Sequence, residues 1–142
     1  MLKTVISCLA SILMIGCTTD AKKENQVIIE EKVFFKNIQD GDILTSPILV
    51  QMGAQGIKVE AADVSRVGYG HHHILLNRES WIVNQIITQS DTTFHFPNGE
   101  TEGTISLRPG NHKLTLQFGD GIHQSLGKQL SSTINITVVQ NE

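Results

Sequence analysis

The chain has 142 residues, with 11 Lys and Arg against 14 Asp and Glu and a formal net charge of −3. A balance this mild and slightly acidic implies no polyanionic or polycationic partner, and it leaves no basic patch on which nucleic-acid binding could rest.

The first segment is set apart from the fold. Lys3, the apolar stretch Val5 to Ile15 and the small Gly16 read as a secretory signal, too short for the roughly 20 residues of a membrane-spanning helix. Met14-Ile15-Gly16-Cys17 resembles the lipobox of bacterial lipoproteins, in which Cys17 is lipidated and becomes the first residue after cleavage. The expected organisation is therefore a lipoprotein signal peptide over 1–16, a polar tether over 17–26 and a β domain over 27–142. Cys8 leaves with the signal, so no intradomain disulfide remains and the fold depends on its core. The expected location is the bacterial cell envelope, with the membrane as a partner through the lipid. Thr18 is not the aspartate that retains some lipoproteins in an inner membrane, which favours an outer one.

About 115 residues follow the tether, enough for one modest core. No segment keeps a helical apolar period over three turns, whereas short alternating runs separated by Gly, Pro, Asn and Asp recur. In chain order the expected strands are Val27 to Phe35, Pro47 to Met52, His71 to Asn77, Trp81 to Ile87, Thr92 to Phe96, Thr104 to Leu107, His112 to Phe118 and Thr133 to Val139. The last two alternate most cleanly. Ile134, Ile136 and Val138 share one face, and His112, Leu114, Leu116 and Phe118 share another, with Lys113, Thr115 and Gln117 opposite on a wet face. Seven or eight short strands predict an all-β, immunoglobulin-like antiparallel β-sandwich. Pro109-Gly110 followed two residues later by His112 resembles the tyrosine corner of such domains, with the imidazole in place of the phenol. These three residues are assigned to structure, a ring nitrogen of His112 bonding nearby backbone. Asp40-Gly41-Asp42 and Ser46-Pro47 fit the turn before a second strand.

Six histidines stand out: His71, His72, His73, His95, His112 and His123. Successive antiparallel strands place alternate loops at the same end. With the Pro109-Gly110 corner at the bottom, the start of the His71 strand, the His95 to Glu102 hairpin and the Gly119 to His123 loop all fall at the top. The period of two sends His71 and His73 to one face and His72 to the other. His71, His73, His95 and His123 are thus candidate metal ligands, with Glu102 and Asp120 as possible secondary ones. Imidazoles with carboxylates suit Zn²⁺ or Cu²⁺, whereas Met52 alone is too little for a soft Cu(I) site. Coordination needs neutral imidazole, so affinity should fall below about pH 6.5. The same histidines equally suit a hydrogen-bond network that holds the loops together without metal.

Several segments resemble a bacterial family, domain of unknown function 4399: Gly70 to Asn77 with its triple histidine, His95-Phe96 with Gly99-Glu100-Thr101-Glu102, Leu107 to Leu114, and Gly119-Asp120 followed by His123. The resemblance spans most of residues 33 to 139 and implies a small exported domain without an assigned activity. Where the family pattern continues with Asp-His-x-His and a later Pro-His, this chain has Asp120-Gly121-Ile122-His123 and no histidine after it. A metal enzyme would need an open coordination position and a base such as Glu102 or Asp120. No phosphate cradle, nucleophile elbow or second mature thiol is present, so a binding module is expected rather than an enzyme. Its partner is a metal ion or small ligand; the alternative is a structural module that engages another envelope protein.

Overall fold

A computed structural model describes residues 29–63 and 65–140. The expected signal peptide, Cys17 and the tether lie outside the described residues. Within them are nine strands, one 3₁₀ turn at Lys128–Leu130 and no α-helix. The strands are β1 (Lys32–Phe35), β2 (Ile43–Thr45), β3 (Ile48–Gln55), β4 (Lys58–Val59), β5 (Tyr69–Leu76), β6 (Thr93–His95), β7 (Glu102–Ile105), β8 (Gly110–Gly119) and β9 (Ser131–Val139). They form a three-stranded sheet, β1-β3-β7, and a six-stranded sheet in the order β2-β9-β8-β5-β4, with β6 also paired to β5.

Alternation explains the central strands. On β9 the side chains of Ile134, Ile136 and Val138 are buried, and on β8 those of Leu114, Leu116 and Phe118 are fully so. They meet Val33, Ile48, Val50, Met52 and Ile105 of the smaller sheet in one core. Each such side chain stabilises the fold by about 1.5–3 kcal/mol.

Three expectations are corrected. Pairing is mixed rather than antiparallel throughout, since β2 runs parallel to β9 and β4 parallel to β5. Both short strands lack any periodic signature, because their partner ladders rather than their own sequences hold them extended. Trp81 to Ile87 forms no strand: it is a run of turns in which Asn84 takes a left-handed φ of 62°. Its apolar residues Ile82, Val83 and Ile86 are exposed. Finally, the face of β8 expected to be wet is dry at Thr115 and Gln117, both with no exposed surface. The segments around Trp81 and Gly127 cover it. Gln117 Oε1 accepts from the Trp81 N–H at 2.9 Å, and its Nε2 donates to the Gly127 carbonyl at 3.0 Å.

This covering layer gives the six-stranded sheet a second buried face. Leu75 and Ile87 belong to it rather than to the core between the sheets. His71 and His73 lie on the same face as Leu75.

Candidate metal centre

Strand register brings the histidines together. In β5, His71 stands opposite Gly119 of β8 and His73 opposite Gln117. On the other edge of β5, His73 pairs with His95 of β6. Phe94 and Phe96 turn toward the main core, so His95 takes the face of His73. The rings of His73 and His95 lie nearly parallel, 4.8 Å apart at 12°.

His123 arrives on the loop after β8, and Asp120 shapes that loop. Asp120 Oδ1 accepts from the Ile122 N–H at 3.0 Å and the Gln124 N–H at 2.8 Å, while its carbonyl accepts from the His123 N–H at 3.0 Å. His123 holds a left-handed φ of 69°, and its carbonyl takes the Ile87 N–H at 2.8 Å. The turn therefore points the imidazole back at the sheet.

The ligand-capable nitrogens of His71, His73, His95 and His123 all lie within 4.8 Å of one another. Nε2 of His95 is 3.1 Å from Nε2 of His71 and 3.1 Å from Nε2 of His123. A ring nitrogen carries either one proton or one lone pair. The shared Nε2 of His95 therefore completes at most one of these contacts as an ordinary two-centre hydrogen bond. Nδ1 of His71 and both nitrogens of His73 are buried without any partner. An unsatisfied buried polar group costs about 1–3 kcal/mol, so neutral rings alone leave this cluster poorly satisfied.

The electrostatics favour the neutral form of His71, His73 and His95. Burial, then the neighbouring His123 and His95, pushes His71 down to about 4. His73 is lowered further, first by burial and then by the histidines around it. His95 is lowered by burial and by His123, against the opposing field of Glu100. Lone pairs are thus available at neutral pH, as metal coordination requires.

Glycine makes the room. A Cβ on Gly119 would sit 3.0 Å from Cε1 of His73, 3.1 Å from Cδ1 of Ile87 and 3.3 Å from Nδ1 of His73. Beside the rings is a cavity of about 60 Å³ lined by His73, Ile87, Gln89, Thr93, His95 and His123. Two larger clefts, of about 350 and 390 Å³, touch none of the four histidines.

The other sequence candidates lie elsewhere. Glu102 is exposed on β7 in the smaller sheet, where its carboxylate accepts from Gln51 Nε2 at 3.2 Å. It is outside the four-histidine group. Asp120 is beside the group but its Oδ1 is engaged in the turn. His112 sits at the far end of β8, seven residues or about 24 Å of strand from Gly119. Its Nε2 donates to the Arg108 carbonyl at 2.7 Å, four residues back across Pro109 and Gly110. His72 faces the core between the sheets, edge-on to Phe118 at 5.2 Å. Burial, then His71 and Lys36, pushes it down to about 4, and neither ring nitrogen has a partner.

Sequence reasoning missed the walls, namely Gly119, Ile87, Gln89 and Thr93, and the anchor Gln117. One signal for cover was present. Leu75 shares the His71 and His73 face, and a leucine two residues along marks that face as one that folding must bury.

A family model described as Domain of unknown function (DUF4399) matches residues 50–139. The chain belongs to this family. The DUF4399 match runs from within β3 to the end of β9, so it holds all four clustered histidines and the Pro109-Gly110 corner but not β1 or β2. No curated protein matches the chain, and no solved structure matches it.

Proposed function

We propose that this DUF4399 domain binds one divalent metal ion, Zn²⁺ or Cu²⁺, through His71, His73, His95 and His123. The observation that carries the reading is the convergence of three Nε2 atoms with two separations of 3.1 Å. Four nitrogens at about 2.0–2.1 Å from a tetrahedral ion lie about 3.3–3.4 Å apart, close to those separations. A cation takes up lone pairs that the neutral rings cannot offer to one another. The wider span, up to 4.8 Å, closes by a contraction of about 1.4 Å, within reach of ring rotation. All-imidazole donors suit Zn²⁺ and Cu²⁺ rather than Mg²⁺ or Ca²⁺.

The domain is read as an immunoglobulin-like sandwich. Supporting this are the pairing of β1 with β3 and of β2 with β9, and the His112 bond across the Pro109-Gly110 corner. The protein is read as a lipoprotein carried on Cys17 in the cell envelope, on the lipobox resemblance and the polar run Lys22-Lys23-Glu24-Asn25; Thr18 favours an outer membrane. The second reading, a metal-free hydrogen-bond network in a module that binds an envelope protein, draws on the same 3.1 Å contacts. It leaves both nitrogens of His73 unsatisfied.

The test is metal content in protein that has neither a polyhistidine tag nor contact with a nickel column. One equivalent of Zn²⁺ or Cu²⁺ at pH 7.5 is expected, and it should be lost in a folded His71→Ala plus His73→Ala variant. No tight divalent binding at that pH sinks the metal reading.

A further inference from the structure

The cavity beside the histidines has a composition of its own. Three of its six walls are His73, His95 and His123, and the others are Ile87, Gln89 and Thr93. It therefore presents one apolar side chain, one amide and one hydroxyl, with no fixed charge. Gln89 is exposed, so the cavity reaches solvent there. A water needs roughly 10–15 Å³ of such space, so about 60 Å³ admits about four to six waters or an ion of a few atoms.

Charge makes the occupant specific. Four imidazoles neutralise nothing, so a bound divalent ion keeps its full double charge in a largely buried site. The acidic groups whose fields reach His71 are Asp120 and Glu100. Asp120 Oδ1 holds two backbone N–H groups of its turn, and Glu100 accepts from the backbone and side-chain amides of Asn98 at 2.7 and 2.9 Å. These hydrogen bonds do not remove a carboxylate's charge, but neither carboxylate is among the clustered ligand atoms, so an anion bound to the ion itself would be the nearest counter-charge. Of the four rings, His71, His95 and His123 form the tight Nε2 group, while His73 lies beside it against the cavity.

Resting on the metal reading, we propose that the ion, held by the four histidines, takes a small monoanion as a fifth, exchangeable ligand from the side of this cavity. Hydroxide, azide and cyanide fit the space, whereas an aromatic carboxylate such as benzoate exceeds it. The Thr93 hydroxyl and the Gln89 amide supply hydrogen-bond donors to such an anion, and Ile87 closes the remaining side.

The test loads the untagged protein with one equivalent of Cu²⁺ and titrates azide, reading the azide-to-copper charge-transfer band. A saturable new band is expected, with benzoate at least tenfold weaker in displacing it. Ile87→Phe, which fills the cavity without altering a ligand, should keep one equivalent of copper and weaken azide at least tenfold. Copper binding with a spectrum unmoved by azide overturns the exchangeable position while leaving the metal reading intact. Equal azide affinity in a folded Ile87→Phe variant overturns its placement in this cavity. If that variant does not fold, the ratio of azide to benzoate affinity in the unaltered protein decides, and a ratio near one overturns the proposal. Failure to take up copper or zinc at all defeats the metal reading and this inference with it.

Discussion

Acid should destabilise the metal-free domain well before its carboxylates titrate. His71, His72 and His73 have no more than 1% of their surface exposed, and burial is the first cause lowering each of them. In the unfolded chain these rings protonate near pH 6.5, whereas in the folded chain His71 and His72 do so near 4. Between these values the unfolded state binds more protons, so stability falls as pH falls and is fully present only above about 6.5. Each group contributes up to about 1.4 kcal/mol per pH unit. His71 and His72 together therefore remove about 3 kcal/mol between pH 5.5 and 4.5, a large share of the 5–15 kcal/mol typical of a domain. The assay is urea unfolding at half-unit steps from pH 7.5 to 4.5 in the presence of a chelator. His72→Leu separates the contributions, because His72 packs on Phe118 away from the metal cluster. That variant should be more stable by about 1–3 kcal/mol at pH 7, since two unpartnered buried nitrogens are gone. Its slope should be shallower by about one proton. A flat midpoint between pH 6.5 and 5 would refute the argument that these rings are buried neutral.

Other substitutions probe how the cluster is held. Gly119→Ala places a methyl against His73 and Ile87 at 3.0–3.3 Å, and should cost about 1–3 kcal/mol and loosen metal binding, read by thermal melts and chelator competition. Gln117→Leu leaves the Trp81 N–H unpaired and removes one of two donors to the Gly127 carbonyl, which keeps the Leu130 N–H at 3.2 Å, and should cost about 1–3 kcal/mol. Faster hydrogen exchange should then be confined to residues 81–87 and 125–130. Asp120→Ala removes the acceptor that shapes the His123 turn and should lower metal affinity about tenfold. Glu102→Ala, on the other sheet, should leave that affinity unchanged; a loss equal to that of Asp120→Ala would contradict the assigned roles.

The all-β class was legible because alternation survives on β8 and β9, where one face meets the core between the sheets. The convergence of the four histidines followed from counting antiparallel strands, which needs only loop order and the parity of positions along each strand. The short strands β2 and β4 and the turns at Trp81 to Ile87 were not legible. Their conformations are imposed by neighbouring ladders and by cover over the second face, and neither leaves a period in the local sequence.

By itself, the sequence determined the β class, the separation of His72 from His71 and His73, and the bond that ties His112 to its own corner. Each depends on contacts a few residues apart or on the period of two. Only the tertiary structure decided that the outer face of β8 is dry, that Asp120 shapes a turn while Glu102 lies on the opposite sheet, and that a small cavity flanks three of the four rings. Those outcomes depend on which loop covers which strand, and chain segments more than 30 residues apart, such as Trp81 and Gln117, settle it together.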